Sequence, residues 1–203
     1  MTAIETYQTI NQEAYWGGQG HLVDVGKNIL SAPVASSLST VARVVLGETY
    51  PQISVTRVDY RVTLTSMAAT AAQALRTRPE ATLAVVQTDA GTAMVMDGVV
   101  TGLPISAGNA GIITSTVPIA PAGPVWRCTA TEIAAAGDET VTDGGQVFVL
   151  VVEGSAGDLI RGSLTQGIAG PGILDMGTDG ASVTIPAGVT GWLLEAEKAE
   201  AGL

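Results

Sequence analysis

The residues able to serve as nucleophile, base or soft ligand are few: one His, His21, and one Cys, Cys128, in 203 residues. A serine or cysteine nucleophile needs a base within hydrogen-bond reach, and only His21 offers the usual imidazole. His21 follows Gly20 and opens an apolar run without a second His or Cys nearby, so it reads as a plain exposed or hydrogen-bonded histidine. Cys128 has no partner for an intrachain disulfide. The neighbouring Arg127 would lower a thiol pKa, but at a strand start beside Trp126 the residue reads as a small buried apolar group.

Two glycine-rich segments have partial ligand-loop patterns. Gly167-Ile-Ala-Gly170-Pro-Gly172 has phosphate-loop glycines, but no helix follows and no Lys-Ser/Thr ending closes it, so it reads as a turn. Asp175-Met-Gly-Thr-Asp179-Gly180 begins like a calcium loop, yet its third position is Gly177 and its twelfth is Pro186, where a bidentate Glu is required. Asp138-Glu139 and Glu195/Glu197 read as solvated carboxylates. No catalytic residue, cofactor or metal is expected, and the chain reads as a non-enzyme.

Charge narrows the partners. With 9 Lys+Arg against 19 Asp+Glu the formal net charge is −10, which argues against gripping nucleic-acid phosphate, because that affinity comes from basic side chains displacing counterions. The start, Met1-Thr2-Ala3-Ile4-Glu5, lacks the basic and apolar runs of a signal peptide, so a protein that stays in the cytoplasm where it is made is expected. The longest uncharged stretch, Gly98 to Trp126, carries Pro104, Pro118, Pro121 and Pro124 and reads as strand rather than as a membrane span.

Val, Ile and Ala are abundant, with a single Phe and many Thr, which favours sheet. Residues 53–65 place Ile53 and Val55, then Val58, Tyr60, Val62 and Leu64, at alternate positions, predicting a strand with a bulge near Arg57. Ser66 is expected to cap a helix through Met67–Leu75 that ends with Arg76 and Arg78 before Pro79. Strands follow at 81–88 and 92–102, joined by a tight turn at Asp89-Ala90-Gly91, with a bend or bulge at Asp97-Gly98. Ile113, Val117 and Ile119 mark a strand that Pro118 places at an edge or end.

Pro118-Ile-Ala-Pro121-Ala-Gly-Pro124 reads as a stiff linker. Up to Trp126 there are 8 acidic and 6 basic residues, and afterwards 11 and 3. Two units are therefore expected, 1–124 and 125–203, the second a small antiparallel sandwich with strands at 127–134, 140–153, 159–166 and 182–197. In the head, Tyr7, Ile10, Ala14 and Tyr15 have helical spacing that Trp16-Gly17-Gly18 breaks, suggesting an arm. His21–Val25 and Val41–Leu46 read as paired strands around a long Ser31–Thr40 connection.

From residue 53 to 120, the order strand, Ala-rich helix ending Arg-Thr-Arg-Pro, strand, tight turn, strand with Asp97-Gly98-Val99-Val100-Thr101-Gly102, polar turn and strand resembles the tail tube (major tail) proteins of long-tailed bacteriophages. The resemblance implies a mainly β fold, an antiparallel β-sandwich or barrel with one flanking α-helix, plus a C-terminal small β-sandwich domain facing outward. It implies hexameric rings, stacked into a conduit for the tape-measure protein and the DNA without sequence-specific binding, in a virion tail. On that reading Asp59, Asp89 and Asp97 are candidates to face the lumen. Tyr15, Trp16, Arg57 and Arg61 are candidates for inter-subunit contacts. The alternative is a head-decoration or fibre-associated surface β-protein that binds capsid or host glycans.

Overall fold

A computed structural model describes residues 12–25, 34–43, 52–102, 112–154 and 156–197. In chain order the strands are β1 (Gln12–Gly18), β2 (His21–Asp24), β3 (Val34–Arg43) and β4 (Gln52–Ala68). After helix α1 (Ala69–Thr77) come β5 (Glu80–Gln87), β6 (Thr92–Val100), β7 (Ile112–Ile133), β8 (Gly137–Thr140) and β9 (Val147–Glu153). The chain ends with β10 (Asp158–Arg161), β11 (Leu164–Gly167), β12 (Gly172–Asp175), β13 (Ser182–Ile185) and β14 (Thr190–Glu197). The protein is mainly β, and every ladder among the described residues is antiparallel.

Eight strands, in the order β12-β9-β14-β7-β6-β5-β1-β2, form a nearly closed, barrel-like sheet. Its ends meet where Gly172 of β12 reaches the two-residue turn between β1 and β2, and Gln19 Nε2 in that turn also donates to the Gly167 carbonyl at the end of β11, at 2.5 Å. At that seam a Cβ on Gly172 would lie 2.9 Å from Gln19 Cα and 3.0 Å from the Gly18 carbonyl oxygen, so only glycine permits the approach.

Alternation along the strands sorts the apolar side chains into three clusters. Inside the barrel lie Tyr15, Ala84, Val86, Ala93, Val95, Cys128, Ala130, Phe148, Leu150, Ile173 and Leu194, with partly buried Leu22, so all eight strands contribute. The opposite faces of β1, β5, β6 and β7 send Ala14, Trp16, Leu83, Val85, Met94, Met96 and Val125 against Ala72 and Leu75 of α1. The outer face of β9 and β14 (Val147, Val149, Val151, Leu193) packs on Leu159, Val183 and Ile185 of a second sheet, ordered β11-β10-β13-β8. Strands buried on both faces explain why 83–86, 93–96 and 147–151 are continuous apolar runs. Each large side chain so buried contributes about 1.5–3 kcal/mol.

The long strand β7 joins these layers. One edge pairs with β6 from Ile119 to Thr129. The other pairs first with β4, up to Ile119, and then with β14 from Arg127. The linker expected at 118–124 is thus a correction: it is part of β7, and the boundary placed at 124/125 falls inside that strand. Two local features accommodate the prolines. The Pro118 carbonyl accepts the Thr101 N–H at 3.0 Å just past the end of β6. Amide and carbonyl of one extended residue point to the same edge, so the missing N–H costs β4 nothing. Between Pro121, opposite Gly98, and Val125, opposite Met96, residues 122–124 form a bulge across from Asp97.

Other expectations fared variously. The bulge in the first long strand is present: Ser39 pairs with Arg57 and Thr40 with Val55, leaving Thr56 as the extra residue. The β5–β6 turn and the irregularity at Asp97 are also as expected. The helix begins at Ala69, because Ser66–Ala68 still belong to β4. Ala14 and Tyr15 lie in a strand, not at helical spacing, while Tyr7 and Ile10 fall outside the described residues. The supposed connection is strand β3 from Val34 onward, and β3 pairs with β4 rather than with β2. Strand β12 lies between the strands expected at 159–166 and 182–197 and is additional to them.

Candidate binding cleft

The described surface has an open cleft of about 580 Å³ where the mouth of the barrel meets the loops of the second sheet. Trp126, on β7 just beyond the bulge, lines it. The indole is half-buried, and its ring centroid lies 6.0 Å from that of Phe148, tilted by 57°. Trp126, Phe148 and Leu194 all face the barrel interior, and the two rings meet diagonally, since the register across β14 sets Ala130 rather than Trp126 level with Leu194 and Phe148.

The walls are polar and pinned. Glu195 Oε1 accepts the Thr142 N–H at 3.1 Å, and Asp143 Oδ1 accepts the Gly180 N–H at 3.1 Å. The Gln146 amide donates to Asp175 Oδ1, which also takes the Gly177 N–H at 2.8 Å. Backbone bonds from Gly144 N–H to Thr178 and from Val147 N–H to Gly177 tie the loop 141–147 to the loop 176–181.

Behind both loops lies Arg161, fully buried. Its guanidinium donates to four backbone carbonyls: Gly180 at 3.2 Å, Thr142 at 3.2 Å, Gly145 at 2.8 Å, and Gly177. A planar fork of five donors matches such a divergent set of acceptors. The 175–180 segment that reads like part of a calcium loop is therefore organised by a cation belonging to the chain itself. Among the described residues no three His, Cys, Asp or Glu side chains gather as metal ligands.

The residues singled out from the sequence are dispersed. Tyr15 and Trp16, expected at a subunit contact, are 4% and 1% exposed and lie in the chain's own core, so neither is available to a neighbour. Trp16 Nε1 donates to the Arg78 carbonyl at 3.0 Å. The Tyr15 hydroxyl donates to Glu13 Oε2 at 2.9 Å. Burial first, then that hydrogen bond and the negative charges of Glu13 and Asp24, hold its pKa far above the ordinary tyrosine value.

Asp97 is exposed and accepts the Thr82 hydroxyl at 2.9 Å, whereas Asp89 sits in the turn at the far end of the β5–β6 hairpin. At about 3.4 Å per residue these two aspartates are more than ~15 Å apart along the hairpin. Asp59 lies on β4 opposite Ser37, between Arg57 opposite Ser39 and Arg61 opposite Ala35, so the structure does not bring the three aspartates to one site. Cys128 is buried and His21 exposed.

Sequence reading missed Arg161 and the cleft. The only available signal was an isolated arginine before a Gly-Ser turn in an acidic region. Glu195, read as merely solvated, fixes a loop. Among the described residues no helix is long and apolar enough to cross a membrane. No protein-family model and no curated protein sequence matches the chain.

Proposed function

We propose that this protein is a structural, non-enzymatic subunit that assembles with copies of itself, and specifically the subunit of a phage-type tail tube. On this reading hexameric rings stack into a conduit in a virion tail, passing tape-measure protein and DNA without sequence-specific binding. The second sheet, β11-β10-β13-β8, is then the outward-facing layer.

One observation carries the reading. At Val62, β4 is paired with Val34 of β3 on one edge and with Ile119 of β7 on the other. Before Val62 it leaves β7, and residues 52–61 continue paired only with β3 among the described residues. The result is a two-stranded ribbon of about ten residues a strand, roughly 33 Å long. Such a ribbon is marginal alone in water and, among the described residues, presents open edges, both of which association with a neighbouring copy would remedy. Arg57, Asp59 and Arg61 are on the part of β4 that would meet the neighbour. The acidic chain also suits a conduit that must not retain phosphate.

Electron microscopy of the purified full chain, with light scattering over a concentration series, tests this. Rings or tubes are expected; a monomer under every condition would overturn the assignment.

A further inference from the structure

We propose that the Trp126 cleft binds a neutral saccharide unit, independently of how the chain assembles. A pyranose offers a ring face of C–H groups and an edge of hydroxyls, and the cleft supplies a counterpart to each. The half-buried indole of Trp126, braced by Phe148, offers a fixed apolar surface for the sugar face. Around it stand the acceptors of Asp143 and Glu195 and the hydroxyls of Thr142 and Thr178.

Each carboxylate has one oxygen engaged by a backbone N–H, at 3.1 Å in both cases, which sets the direction of its second oxygen. Arg161 anchors the loops behind them, so the wall is ordered before a ligand arrives. Preorganisation of this kind lowers the entropic cost of binding.

Electrostatics select among small molecules. Among the described residues two carboxylates and no basic side chain line the cleft, a lining that disfavours phosphate, sulfate or uronate. The polar rim disfavours a purely apolar ligand, which would strip water from the acids without replacing its hydrogen bonds. The volume, about 580 Å³, lies within the range of small-ligand sites and admits one or two sugar rings.

Methyl glycosides of glucose, galactose, rhamnose and N-acetylglucosamine, and their disaccharides, should be titrated into the full chain while tryptophan emission and saturation-transfer NMR are followed. At least one neutral sugar is expected to saturate with a millimolar Kd, and glucuronate to bind at least about tenfold more weakly. Trp126→Phe should abolish the emission change. Thr178→Trp, at an exposed position on the cleft wall, should block binding while leaving the thermal midpoint unchanged. Glu195→Gln keeps an acceptor for the Thr142 N–H but should weaken binding about fivefold. The proposal is overturned if no neutral sugar binds at up to about 50 mM, if glucuronate binds as well as the neutral sugars, or if folded Thr178→Trp protein binds them undiminished.

Discussion

Gln19 and Gly172, 153 positions apart, meet backbone to backbone: a Cβ on Gly172 would sit 2.9 Å from Gln19 Cα. Together with the bond from Gln19 to the Gly167 carbonyl, this contact sets the tip of the first hairpin on the strand at the other end of the eight-strand path. Closure joins the first strands of the chain to its last third around one interior.

Gly172→Val is therefore expected to force that seam open, because the atoms in the way are backbone and cannot swing aside. Overpacking of this kind costs about 1–3 kcal/mol, read as a lower urea midpoint with the β signature in circular dichroism retained. An unchanged midpoint would show that the seam carries no stability.

Arg161→Met should be more damaging than its conserved volume suggests, since it strips one shared donor from four carbonyls, of which Thr142 keeps the Gly145 N–H and Gly177 the Val147 N–H. The loss should reach at least ~2 kcal/mol. Arg161→Lys keeps the charge but lacks the fork, so it should fall between wild type and methionine. Equal unfolding midpoints for all three proteins would contradict this account.

The buried Tyr15 hydroxyl gives the fold an alkaline weakness. Its folded pKa is raised above the ordinary value of 10.0, so the folded state holds the proton more tightly than the unfolded state. The resulting stabilisation is complete below pH 10 and is lost as the pH rises through 10 towards the folded value. Tyr15→Phe should lose about 1 kcal/mol near neutrality for want of the Glu13 hydrogen bond. Its stability should also decline less steeply than wild type between about pH 10 and 11, measured by urea unfolding at each pH. Parallel declines would show that Tyr15 is not the group responsible.

What the sequence disclosed was mostly local. The phase slip between Val55 and Val58 located a bulge near Arg57, one residue from the extra residue Thr56, since side-chain alternation records register directly. Pro118–Pro124 misled, because proline normally excludes a central strand; what makes it acceptable is that β6 ends beside Pro118 and β7 bulges at 122–124. Tyr15 and Trp16 showed no alternation because β1 is buried on both faces. Arg161 left little trace beyond its isolation in an acidic region, because its partners are carbonyls, which every residue has. The cleft gathers Trp126, Asp143, Thr178 and Glu195, and nothing in their spacing announces that meeting.

The shared interior leads to a sharp expectation for truncation. Ending the chain after Gly123 removes Val125–Thr129, the partners of Met96–Thr92 in β6, and with them Cys128, Ala130, Phe148, Leu150, Ile173 and Leu194 from the barrel interior. That fragment should be insoluble or lack cooperative unfolding. A soluble 1–123 fragment with a sharp thermal transition would show instead that the first strands fold independently.

The ribbon offers the most direct test of self-assembly, because its outer part can be altered without touching the barrel. Asp59 lies three residues beyond the last β4 residue paired with β7, and its only described strand partner is Ser37. Asp59→Pro removes a backbone donor and fixes φ, which should break the ribbon there. Because strands β5 to β14 keep their pairings, the thermal midpoint of the barrel should fall by no more than a few degrees, equivalent to about 1 kcal/mol or less. If the ribbon is what joins copies, the same variant should yield no rings or tubes by electron microscopy. Asp59→Ala, which keeps the N–H, should still assemble. Normal assembly of a folded Asp59→Pro protein would remove the ribbon from the contact between copies and leave the tube reading without its main support.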